Sequence, residues 1–133
     1  LAKEAVCCFE PGDQGGTYGG NALMMAVGQA VLDELTAPGF LDRTQAAAAT
    51  LVAGLEDLSR KHGLSGVRGK GLLLGLNLAP RSDGFAIVQK ALAAGLLLNA
   101  PAPDALRFMP ALNVSDGEIA AMLEILDEVL GAA

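Results

Sequence analysis

Positive charge is scarce in this chain of 133 residues. Lys and Arg together number 9 against 15 Asp and Glu, for a formal charge of −6. A general nucleic-acid binder needs a basic footprint, and none is present. Histidine occurs once and cysteine twice. Cys7 and Cys8 are adjacent, poor disulfide partners for each other, and match no zinc or redox spacing. A reducing compartment, the cytoplasm, is therefore the expectation, and a conventional metal site is not. Long apolar runs are missing too: none approaches the ~18–20 residues of a membrane span. No basic stretch leads into an apolar one as in a secretory signal. Charged residues make up only 18% of the chain, against a typical ~25%.

What is present is apolar. The hydrophobic fraction is 52% and the mean hydropathy is +0.42. With no spanning segment, such a chain is expected to carry apolar surface that needs a partner. The start at Leu1 without a methionine adds to the expectation of a piece of something larger.

Glycine is concentrated early. Pro11 and five glycines fall between Glu10 and Gly20, which predicts a loop with unusual backbone angles. Asn21 can cap the helix that follows. From Ala22 to Leu35 that helix is apolar almost all round, so burial is expected. Thr36-Ala37-Pro38-Gly39 ends it. Leu41, Ala48, Leu51, Val52, Leu55 and Leu58 then trace a second helix, stopped at His62-Gly63. Val67–Gly71 and Leu72–Leu78 predict two strands joined through glycines. Ser82 is expected to cap a third helix closed by Gly95. Leu96–Asn99 and Ala105–Phe108 are strand candidates. Ser115-Asp116-Gly117-Glu118 reads as a capping box opening a last helix. The order predicts an α+β domain with a small, largely antiparallel sheet.

Two elements could hold a ligand. Gly15-Gly16-Thr17-Tyr18-Gly19-Gly20-Asn21 opens a helix, where converging N–H groups and the helix dipole suit an anion. Thr17 could donate its hydroxyl to a phosphate. No Gly-Lys-Ser/Thr follows, so it is not a Walker loop. By itself the loop reads as readily as a turn needed for shape. Arg107 lies between Leu106 and Phe108 and points to the face opposite theirs. It could offer a planar fork to a carboxylate, or be a solvated edge-strand arginine. Arg68 and Lys70 read as turn charges, His62 as a helix-terminus residue, and Cys7 and Cys8 as small buried residues. No paired carboxylates, no Ser/His/Asp set and no complete active site are evident.

In order and at the expected spacing, four segments resemble the class III pyridoxal-phosphate aminotransferases. They are Phe9–Asn21, Val67–Gly75, Gly95–Ala100 and Leu106–Leu112, so the resemblance covers essentially the whole chain. It implies the C-terminal part of a fold type I transferase: residues 1–20 a glycine-rich loop and the end of the large domain, 21–133 the C-terminal small domain with its connecting helix. It implies a homodimer with active sites at the interface. Thr17, with backbone contact from Gly16, would bind the phosphate of the neighbouring subunit's pyridoxal 5'-phosphate. Arg107 would bind the substrate α-carboxylate. Ala22 departs from the family's usual proline, a small matter at a helix start.

The Schiff-base lysine and the aspartate facing the cofactor's ring nitrogen belong upstream in the family pattern. None of Lys3, Lys61, Lys70 and Lys90 matches that lysine. The resemblance thus implies an enzyme whose C-terminal part, alone, is inactive. Within the family it lies nearest the members that move an amino group from N-acetylornithine to 2-oxoglutarate in arginine biosynthesis. Other ω-aminotransferases, acting on ornithine, succinylornithine or 4-aminobutyrate, are the first alternative. A stand-alone anion-binding α+β module is the second.

Overall fold

The computed structural model describes residues 4–10, 12–13, 15–16 and 19–132. The chain divides into two compact units, Leu1–Ala37 and Pro38–Ala133. In the first, Glu4–Val6 form a single 3-10 turn and α1 spans Ala22–Thr36. Asn21 caps α1 as expected, its side chain accepting from the Met24 N–H at 3.0 Å. The burial expected of this helix is not found: none of its residues is buried by the described residues. The apolar side chains from Leu23 to Leu32 are 47–67% exposed. The pattern demanded cover, and nothing described in the chain supplies it. Cys7 and Cys8 correct a second expectation. They lie in irregular chain and are exposed, not buried.

The second unit begins with α2 (Phe40–Lys61), which ends at His62 and a left-handed Gly63 as expected. β1 (Val67–Lys70) and β2 (Leu73–Asn77) form a hairpin. Its turn is the pair Gly71-Leu72, and Gly71 at φ +60 is what a II′ turn requires at that place. Arg68 and Lys70 therefore lie in β1 itself, not in the turn. Gly69 sits at φ +126, and a β-carbon there would run into the Leu73 carbonyl.

α3 spans Gly84–Ala93. Its cap is Asp83 and not Ser82: the Asp83 carboxylate accepts from the N–H groups of Phe85 (3.0 Å) and Ala86 (3.2 Å). β3 covers Asn99–Ala102, displaced from the expected Leu96–Asn99. The Leu96 N–H is used instead to close α3, bonding the Ala91 carbonyl at 2.8 Å. Pro101 is tolerated because β3 is an edge strand. β4 (Ala105–Phe108) and α4 (Asp116–Gly131) complete the unit.

The sheet order is β1-β2-β4-β3, with every pairing antiparallel. This is the expected α+β architecture with a small antiparallel sheet. Alternation in β2 and β4 sends Leu74, Leu76, Leu106 and Phe108 to one face. There they join Leu51 and Leu55 of α2, Ile87 of α3, and Ile119 and Leu126 of α4 in one core. Each such side chain contributes about 1.5–3 kcal/mol on burial. α2 and α4 pack closely enough that a β-carbon at Gly54 would overlap Leu123. Their C-terminal ends are clasped by Asp127, which accepts from Lys61 Nζ (2.6 Å) and bonds His62 Nε2 (2.7 Å). The opposite face of the sheet carries Arg68, Gly75 and Arg107.

Candidate functional site

Arg107 occupies the middle of β4, and β4 lies inside the sheet. The edge-strand reading is thereby corrected: β1 and β3 are the edges. Gly75 on one side and Asn99 on the other are its register partners. Leu106 and Phe108 are buried while Arg107 is exposed, so its guanidinium leaves the sheet on the face away from the core. The strand fixes its backbone by ladders on both sides, which makes it a rigid platform for a side chain that binds.

Two clefts meet at this residue. One of about 620 Å³ is lined by Arg107 with Asn99, Asn113, Glu118 and the apolar Met109 and Met122. The other, about 440 Å³, lies along the open face and includes Arg107, Arg68 and Lys70. No hydrogen bond or ion pair engages Arg107 within the described residues. Its five donors are free to receive a planar oxyanion. Glu118, at the rim of the larger cleft, is committed elsewhere: its carboxylate accepts from the Ser115 N–H at 2.8 Å, completing the expected capping box. Those hydrogen bonds, the backbone one first, hold its carboxyl below the ordinary value of 4.5.

Gly16 belongs to the first unit and is described on its own. Its carbonyl accepts from the Gly19 N–H at 3.3 Å. Among the described residues, chain neighbours aside, no atom lies within 4 Å of where a β-carbon would stand at Gly15 or Gly16, and the Gly16 N–H has no partner there either. An exposed, side-chain-free backbone with an unused donor fits a phosphate group. Thr17, expected to bind the same phosphate, lies outside the described residues, as does Lys3. Lys61 pairs with Asp127, and Lys90 donates to the Ala132 carbonyl at 2.8 Å. Among the described residues no cluster of His, Cys, Asp and Glu could hold a metal ion, and no helix is long and apolar enough to cross a membrane.

Sequence reasoning treated two groups as unremarkable that the fold makes specific. Arg68 stands in the same register row as Arg107, with Gly75 between them. The two-residue hairpin after Lys70 was the signal available, because it fixes which residue of β2 faces Arg68. His62 meets Asp127 across 65 positions of sequence, and no local pattern announces such a pair.

Comparison with known proteins gives one consistent result. The model of the family described as aminotransferase class-III matches residues 1–130. The chain is 56% identical over 135 aligned positions to acetylornithine aminotransferase 2 of Bordetella parapertussis, covering 99% of this chain and 34% of the relative. It is 50% identical to the acetylornithine aminotransferase of Ralstonia nicotianae, with the same coverage. Among solved structures it superposes on N-acetylornithine aminotransferase from Stenotrophomonas maltophilia with a TM-score of 0.78 at 35% identity, over 86% of this chain and 32% of that one. Acetylornithine aminotransferase from Elizabethkingia anophelis gives 0.80 at 26% identity, over 94% and 34%. The chain spans about a third of the length of these relatives.

Proposed function

The chain belongs to the class III aminotransferases, and on that premise we propose that it is the C-terminal part of an enzyme that transfers an amino group from N-acetylornithine to 2-oxoglutarate. The working protein is a homodimer in the cytoplasm and serves arginine biosynthesis. Residues 1–20 close its large domain, and 21–133 form the small domain with the connecting helix. The identity to acetylornithine aminotransferases at 50–56% supports this donor over other ω-amino acids.

The observation that carries the reading is Arg107: exposed, unpaired, held in an interior strand and open to two clefts. Its fork receives the α-carboxylate of the amino donor and so holds the distal amine toward the reaction centre. Gly16, through its free N–H, and Thr17, through its hydroxyl, hold the phosphate of the cofactor, that of the neighbouring subunit. Pyridoxal phosphate, when bound, supplies the electron sink for proton removal and carries the amino group between the two substrates. The lysine that anchors it is supplied by the part of the enzyme preceding these segments in the family, so this chain by itself is inactive.

A bidentate charged pair is worth about 1.5–3 kcal/mol. Arg107→Ala in the full-length enzyme is therefore expected to raise KM for the amino donor about tenfold or more. An unchanged KM removes the assigned role. A panel of N-acetylornithine, ornithine, succinylornithine and 4-aminobutyrate decides the donor: the highest kcat/KM must fall to N-acetylornithine.

A further inference from the structure

Arg107 does not stand alone on the open face of the sheet. Arg68 pairs in register with Gly75, and Gly75 pairs with Arg107, so the three form one row across β1, β2 and β4. The middle residue of the row has no side chain. A β-carbon placed on Gly75 would stand 3.3 Å from Arg68 Nε and 3.4 Å from Arg68 Cγ. The Arg68 side chain thus lies down across β2, over the position where any other residue would project, on the line that leads to Arg107. The cleft on this face is lined by Arg68, Lys70 and Arg107 and by no acidic residue. That segregation occurs in a chain of net charge −6. None of the three cations has an acidic partner among the described residues.

Arg68 and Arg107 stand two strands apart, with β2 between them, and like charges gathered over one sheet face repel unless something compensates them. An anion seated between them removes the repulsion and gains both forks. We propose that Arg68 and Arg107, with Gly75 as the gap between them, form one two-arginine site for a small carboxylate. Arg68 is then a second binding residue, its fork meeting the carboxylate held by Arg107. The proposal rests on the reading of Arg107 given above and extends it to a second cation and to the glycine that admits it.

Glutarate, a non-reacting dicarboxylate, serves as the probe, and its Kd is measured by titration calorimetry on the full-length holoenzyme. Arg68→Gln is expected to weaken glutarate about tenfold, and Arg68→Lys less. Gly75→Val, which retains both arginines but fills the space under Arg68, is expected to weaken it like Arg68→Gln. The losses from Arg68→Gln and Arg107→Gln are expected to be non-additive in the double variant. An unchanged Kd in Arg68→Gln or in Gly75→Val overturns the proposal.

Should these variants fail to fold, phenylglyoxal labelling of the unaltered enzyme decides instead. Glutarate must protect Arg68 and Arg107 together. Arg68 labelled equally with and without glutarate, or unreactive in its absence, overturns the proposal. The donor panel on the unaltered enzyme keeps the two readings separable. Transamination with an unaffected Arg68 variant sinks only the two-arginine site. Glutarate binding through both arginines, without transamination, sinks only the proposed reaction.

Discussion

Asp127 binds the ends of two helices at one carboxylate. One oxygen takes the Lys61 ammonium and the other the His62 ring. These hydrogen bonds, the one from Lys61 first, lower its carboxyl below the ordinary value of 3.8. A carboxyl that is more acidic when folded adds stability at pH values above its unfolded range. That contribution disappears as pH falls from about 4 through the lower folded value. Asp127→Asn is therefore expected to be less stable than the native chain at neutral pH, with the difference closing below about pH 4. Urea unfolding of both proteins from pH 7 to pH 2 checks this. A constant difference across that range would show that the clasp acts through something other than the carboxylate charge. Local signals at this scale were legible: Asn21 and Ser115 cap their helices because a cap is made by residues three apart. Asp127 and Arg68 were not, because their partners are set by how α2 meets α4 and how β1 is registered on β2.

At the scale of elements, the caps and the hairpin carry energies that single substitutions expose. Ser115 and Glu118 exchange hydrogen bonds in both directions at the start of α4. Ser115→Ala removes the hydroxyl half and is expected to cost about 1 kcal/mol, read as a lower urea midpoint. Gly69 tests the hairpin. Its φ of +126 and the Leu73 carbonyl both stand against a side chain. Gly69→Ala is expected to cost about 1–3 kcal/mol through strain, more than the ~0.5–1 kcal/mol that alanine can gain from a stiffer unfolded chain. An alanine variant as stable as the parent would mean that β1 relaxes freely against β2. Element types were readable from periodicity, but two boundaries were not. The run Leu96-Leu97-Leu98 has the composition of a strand, yet its first N–H closes α3 and Leu97 is 85% exposed. Pro101 fits the strand at Asn99–Ala102 because β3 lies at the sheet edge. The alternative of an edge-strand Arg107 had the face right and the strand order wrong for a related reason. Alternation is local, whereas strand order depends on which hairpins pack together.

At the scale of the whole molecule, the unmet demand is α1. A helix of 15 residues is marginal in water without tertiary support. This one exposes Leu23, Met24, Met25, Val27, Val31 and Leu32 together. Their pattern was read as a buried helix, and the reading describes what the residues require better than what the described chain provides. Contiguous apolar surface of this kind drives association, and a net charge of −6 spread over 133 residues opposes it only through screened, long-range repulsion. The 133-residue chain produced by itself is therefore expected to self-associate at micromolar concentration, seen as species larger than 13.5 kDa in sedimentation velocity. Val27→Lys with Val31→Lys places two charges one helical turn apart on α1 and is expected to return the chain to a monomer. A monomeric parent would show that α1 is covered in solution by something within the chain. Association that persists in the double variant would move the sticky surface elsewhere, to the apolar residues around the larger cleft beside Arg107, where Leu97 and Met109 are also exposed. Return to a monomer in the double variant and persisting association assign the excess hydrophobicity of this sequence to different faces, and only the former makes α1 the surface that needs a partner.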